Sequence, residues 1–130
     1  MTSYFCPRCW SEFKEDFEFC PVCGYDLKNF DKLSYEEKLI VALKHPVSDY
    51  KINAIRLLAK LRSEKAVFEF ERMIEEEDTI IVLEIIEALS KIPTEKSLEL
   101  LKRLAKSNSK VISKRAKEIL KAFDAERSKV

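Results

Sequence analysis

Glycine, histidine and tryptophan each occur once in these 130 residues. A single histidine and no long loop leave no active site to assemble, because Ser-His-Asp and Cys-His systems need an imidazole beside an available hydroxyl or thiol. Long apolar runs are missing too. The longest, Ile80 to Ile86, is broken by Glu84 and falls far short of the roughly 18 residues of a membrane span. Nor does one sign of charge dominate. Lys and Arg number 24 against 23 Asp and Glu, and a net charge of +1 sets up no global field toward nucleic acid or a membrane. Met1 to Phe5 is neither basic nor strongly apolar, so no signal peptide is expected. The expectation is a soluble cytoplasmic protein in a reducing compartment, which suits metal-bound thiolates better than disulfides.

What is abundant is charge, 36% of the chain and mostly Lys and Glu. With so little glycine, that mix favours long helices laced with ion pairs, a composition also typical of heat-loving sources. The composition changes near residue 30. Before it lie all four Cys, the only Trp, the only Gly and five of the eight Phe. A module over residues 1–30 and a second domain over residues 31–130 are expected, with the boundary at Asn29-Phe30-Asp31. About 100 residues can bury a workable core, whereas about 30 need a staple.

The staple is legible. Cys6-Pro7-Arg8-Cys9 and Cys20-Pro21-Val22-Cys23-Gly24 are two C-x-x-C hooks separated by ten residues. Two sulfurs of one tight turn can reach the same ion, and two such turns close a tetrahedron with Zn–S distances of about 2.3 Å. Gly24 can take the positive φ that follows the second turn. Between the hooks, Phe17 and Phe19 alternate with Glu18, which reads as a short hairpin with one aromatic face. The whole of residues 4–27 resembles a zinc ribbon. The expected ligands are Cys6, Cys9, Cys20 and Cys23 around one structural Zn²⁺, with no position left for the water of a catalytic zinc. Two disulfides are the alternative use of four cysteines. Iron is the alternative ion, since Cys20 to Tyr25 also looks like a rubredoxin knuckle. Against iron, Trp10 rather than Gly follows the first hook, and the gap is shorter than rubredoxins use.

The rest of the chain reads as six helices. Their expected starts are the capping box at Ser34, then Asp49, Ser63, Asp78, Thr94 and Ser109; Pro46 and Pro93 end the first and fourth. A shift of 31 residues superimposes them: Leu58 on Leu89 and Leu120, Leu61 on Ile92 and Phe123, Tyr50 on Ile81 and Ile112, Ala54 on Ile85 and Ala116. The alternate helices obey the same shift, Leu39 falling on Phe70 and Leu101. A fixed period covering two helices marks a stack of helical hairpins. The helix from Asp78 to Ile92 is apolar nearly all round, as expected of a buried middle rung. Asp49-Tyr50-Lys51, Ala54, Leu58 and Ala66-Val67 make residues 34–125 resemble HEAT-like repeats of the short kind first recognised in phycobilisome lyases. The resemblance implies a mainly α fold, a short right-handed α-solenoid of about six helices behind a small zinc-ribbon hairpin. It implies no lyase activity.

Other polar residues have plainer readings. His45 in the last turn of its helix suits the C-terminal dipole, and the acidic run Glu69, Glu71, Glu75, Glu76, Glu77, Asp78 suits a solvated face. Lys110, Lys114, Lys117 and Lys121 form one stripe on the last helix, and residues 91–130 hold twelve basic against five acidic side chains. Such a stripe fits the solvated outer face of a terminal repeat, or a docking face for an acidic protein or an RNA backbone. Residues 1–30 hold three basic and five acidic side chains, so the ribbon repels phosphates, and Trp10 and Tyr25 there suit protein contact. The sequence therefore points to a non-enzymatic zinc-binding adaptor with a protein partner. Nucleic-acid association and a one-electron iron carrier are the alternatives.

Overall fold

The structure, a computed structural model, describes residues 4–128. The chain divides within one helix into two compact units, the first ending at Ala54 and the second beginning at Ile55.

In the first unit, β1 (Tyr4–Phe5) pairs antiparallel with β2 (Glu12–Phe13), placing Tyr4 opposite Phe13 and Phe5 opposite Glu12. A single antiparallel bridge joins Phe19 to Asp26. Each C-x-x-C turn is thus clasped at its own base. The hairpin expected between the hooks is absent there, and Phe17 instead packs edge-on against Phe13, ring centroids 5.0 Å apart. Local closure explains the difference, since pairing across each knuckle, by two short strands at the first and one bridge at the second, satisfies backbone groups there. A short α1 (Leu27–Asp31), capped by Asp26, follows and contains the expected boundary residues Asn29 to Asp31. α2 (Tyr35–Ala42) opens on Ser34, whose hydroxyl accepts from the Glu37 N–H at 3.1 Å. α2 stops at Ala42, three residues short of His45.

α3 (Ser48–Lys60) spans the division between the units. It begins one residue before the expected cap Asp49, which lies in its first turn. The second unit continues with α4 (Glu64–Glu76), α5 (Thr79–Lys91), α6 (Glu95–Ala105) and α7 (Lys110–Ser128). The starts of α3, α5 and α7 lie 31 residues apart, as do those of α4 and α6. The caps repeat as well. Ser63 and Thr94 accept from the N–H groups of Ala66 and Ser97, and Asp78 accepts from Ile81. The Ser109 hydroxyl lies 3.5 Å from the Ile112 N–H. The turn from α3 to α4 needs no glycine. The Ser63 N–H bonds Leu58 O, the Arg62 N–H bonds Ala59 O, and Arg62 itself takes φ 53°. That is a Schellman close with arginine at the left-handed position.

α5 packs on α4, α6 and α7, while α4 packs on α6 and α6 on α7. Two layers result, α4 and α6 in one, α5 and α7 in the other. Leu58, Leu89, Ile85, Ala116, Phe70 and Leu101 are fully buried, so the 31-residue register carries the core. It loosens in three places. Leu61 lies at the end of α3 and is exposed, although its counterpart Ile92 is buried. Tyr50 is exposed where Ile81 and Ile112 are buried, and Leu120 and Phe123 of the last helix are half-buried. Nor is α5 buried on every side. Ile80 is 66% exposed and Leu83 half-buried. Among the described residues no helix is long and apolar enough to cross a membrane.

Candidate metal centre and charged face

The two cysteine turns are built alike. In the first, the Trp10 N–H bonds Cys6 O at 2.8 Å and the Cys6 N–H bonds Ser11 O at 3.1 Å. In the second, the Gly24 N–H bonds Cys20 O and the Cys20 N–H bonds Tyr25 O, both at 2.9 Å. Backbone N–H groups point at sulfur in each: Arg8 to Cys6 Sγ, and Val22 and Cys23 to Cys20 Sγ, all at 3.4 Å. Such donors favour thiolate over thiol.

These turns bring the four expected ligands together. All four sulfurs lie within 4.8 Å of one another. Across the two turns, Cys6 Sγ is 3.6 Å from Cys23 Sγ and Cys9 Sγ 3.6 Å from Cys20 Sγ. A disulfide would need about 2.05 Å, whereas the edge of a tetrahedron with 2.3 Å metal–sulfur bonds is about 3.8 Å. The donor set therefore fits a metal ion. Cys6 and Cys20 are buried, Cys9 and Cys23 exposed, so each turn offers one inner and one outer sulfur. On their own the thiols would not ionise alike. The Ser11 hydroxyl and backbone draw Cys9 down to about 6. Cys23 is pushed up to about 11, a favourable Tyr25 backbone bond being outweighed by partial desolvation of the sulfur and the neighbouring sulfurs. A divalent cation removes that mismatch by holding all four as thiolates.

His45 has a different place from the one its sequence position suggests. It lies beyond α2, 8% exposed, with its ring 4.5 Å from Phe5, 4.8 Å from Trp10 and 4.7 Å from Tyr50, centroid to centroid. Its Nδ1 accepts from the Val47 N–H at 3.0 Å. Burial, with Lys51 nearby, lowers its pKa, so the ring is neutral rather than a cation on a helix dipole. Trp10 is half-buried in this contact, and Tyr25 is half-buried as well. No sequence signal marks the cage. Residues 5, 10, 45 and 50 share no period.

The acidic run is largely a network of ion pairs. Lys96 and then Arg103 hold Glu71 below the usual carboxylate range, with Lys96 Nζ 2.6 Å from its oxygen. Arg72 reaches Glu69 and Glu76, and Asp78 caps α5.

On the other layer the glutamates are taken up by a ladder the sequence reading missed. Arg56 of α3 clasps Glu84 of α5 with two bonds, 2.7 and 3.1 Å. Arg115 of α7 clasps Glu87 of α5 in the same bidentate way and also reaches Glu118 at 2.9 Å. The signal was available, since both partners are 28 residues apart. Lys110, Lys114, Lys117 and Lys121 lie exposed along α7, and among the described residues they form no ion pair. They border a shallow groove of about 420 Å³ with Ser113 and Glu118. A second groove of about 490 Å³ runs between α5 and α7 over Leu83 and Val111.

HEAT repeats match this chain over residues 36–121. No curated protein and no solved structure matches it.

Proposed function

The chain belongs to the HEAT repeat family, and from that premise we propose that it is a non-enzymatic adaptor, a metal-clasped ribbon joined to repeats of the short kind that hold a protein partner. HEAT repeats commonly serve protein interaction, because stacked helices give a rigid surface assembled from successive repeats. The observation that carries the reading is the closed set of four sulfurs, all within 4.8 Å. A set that fills every position of a tetrahedron staples a small module and leaves no site for a substrate or a water. We take the ion to be one structural Zn²⁺ on Cys6, Cys9, Cys20 and Cys23, the ribbon to be residues 1–30, the repeat domain residues 31–130, and the compartment a reducing cytoplasm. Partner contact falls to the Lys110–Lys121 face, with Trp10 and Tyr25 as further contacts on the ribbon.

The unpaired lysines favour one second reading, association with RNA or DNA. Affinity capture from the native source, with and without nuclease, separates the two. An adaptor keeps the same protein partner after nuclease. Loss of all partners on nuclease treatment supports the nucleic-acid reading and contradicts the adaptor.

A further inference from the structure

The α5–α7 groove combines three properties that together define a ligand. Its floor is aliphatic, formed by Leu83, which is half-buried, and Val111, which is 57% exposed. Its acidic wall is ion-paired, Glu84 with Arg56, and Glu87 and Glu118 with the one Arg115, three carboxylates against two guanidinium groups. Its basic edge is not. Lys114 lines the groove and continues into Lys110, Lys117 and Lys121 without a carboxylate partner among the described residues.

The register sharpens the point. Lys114 and Lys117 occupy in α7 the positions that Leu83 and Ile86 hold in α5, and Ile86 is fully buried. Polar residues there keep the exposed face of α7 solvated. Solvation alone is met by residues of either sign, or by pairs. Four cations over about 16 Å of helix leave a field that an anionic partner would satisfy.

We propose that this groove seats an acidic segment of a protein partner, one aliphatic side chain anchored over Leu83 and Val111 and flanking carboxylates on Lys110, Lys114 and Lys117. The proposal rests on the adaptor reading and names the chemistry of its partner. A nucleic acid is the poorer occupant. Phosphates gain nothing from an aliphatic floor. A few central anchors ringed by water-excluding contacts carry most of an interface's energy.

Fluorescence anisotropy on the full metal-loaded chain tests it in 150 mM salt. The probes are a labelled 14-residue peptide with one central Leu among Glu residues, its Leu→Ser counterpart, and a labelled twelve-nucleotide oligouridine. The Leu peptide should bind saturably. Leu→Ser, Val111→Asp and the pair Lys114→Glu, Lys117→Glu should each weaken binding at least fivefold. The pair Lys91→Glu, Lys102→Glu, equal in charge but elsewhere, should change it less than twofold. All these side chains are exposed, and circular dichroism confirms each variant's fold. Absence of saturable peptide binding, equal binding of the Leu and Ser peptides, or tighter binding of oligouridine would overturn the proposal. The adaptor reading is read out separately. A Val111→Asp, Lys114→Glu, Lys117→Glu chain that still captures its native protein partner keeps the adaptor and removes the groove.

Discussion

Trp10 stands in the first cysteine turn where Gly24 stands in the second. Each donates its N–H to the carbonyl of the leading cysteine, and each has positive φ, 63° for Trp10 and 80° for Gly24. A left-handed conformation costs an L-residue about 1–2 kcal/mol. The contact of the indole with His45 offsets that cost. The tryptophan therefore ties the first cysteine turn to the segment after α2, within one compact unit.

Substitution separates the two contributions. Trp10→Ala keeps the strained φ and loses the ring, whereas Trp10→Gly loses the ring and relieves the backbone. Both should destabilise, but Trp10→Gly should be the more stable of the two by about 1 kcal/mol. Denaturant unfolding followed by circular dichroism measures the difference. Trp10→Ala equal to or more stable than Trp10→Gly would remove the strain from the picture. At Gly24 a Cβ would meet no atom within 4 Å, so Gly24→Ala should cost only the φ term.

His45 gives the unit a pH dependence of known sign. Its pKa in the folded chain is below the ordinary value of about 6.5, because the ring is buried and Lys51 is near. As pH falls through the unfolded value, the unfolded chain takes up a proton that the folded chain resists, so stability is lost on the acid side. Thermal unfolding at pH 7.5 and 5.5 should show a larger drop for the wild type than for His45→Phe. Thiolate protonation acts on both chains and cancels in the comparison. Equal drops would place no titration at His45.

Burial, rather than register alone, sets the cost of core truncation. Leu58 and Leu89 are fully buried, so each Leu→Ala change should cost about 2–5 kcal/mol. Leu120, the third member of the series, is half-buried and should cost clearly less. Thr94→Ala removes the cap of α6 and should cost about 1 kcal/mol. Denaturant midpoints of the four variants check the order; Leu120→Ala matching Leu89→Ala would mean that a further element covers α7.

The Glu87–Arg115 pair should be worth little by itself. Both side chains are well exposed, and such pairs contribute about 0.2–1 kcal/mol. A double-mutant cycle with Glu87→Gln and Arg115→Gln should give a coupling in that range that shrinks in 1 M salt. A coupling above about 2 kcal/mol, or one indifferent to salt, would show the ladder to be a structural clamp.

Much of this was legible because two periodic signals are local. The clustering of the four sulfurs followed from C-x-x-C spacing, and the helices from caps and a 31-residue shift that the starts of α3, α5 and α7 obey. What escaped depends on packing between segments distant in sequence. His45 read as a helix-end residue because nothing near it in sequence shows that Phe5 and Trp10 surround it. Leu61 read as core because its repeat position is apolar, but the turn at Arg62 leaves it outside. The strands were misplaced because alternating Phe17-Glu18-Phe19 mimics a hairpin, while the observed pairing at Tyr4–Phe13 has only two residues per strand to announce it. The Arg56–Glu84 contact needs the stacking geometry before its 28-residue spacing means anything.

Metal content decides the matter most directly. The chain, purified without added metal and analysed by native mass spectrometry with elemental analysis, should carry one zinc, be colourless, and lose the ion when Cys6 and Cys20 are both changed to Ser. A chain with no metal and two disulfides, or a coloured chain carrying iron, would contradict it.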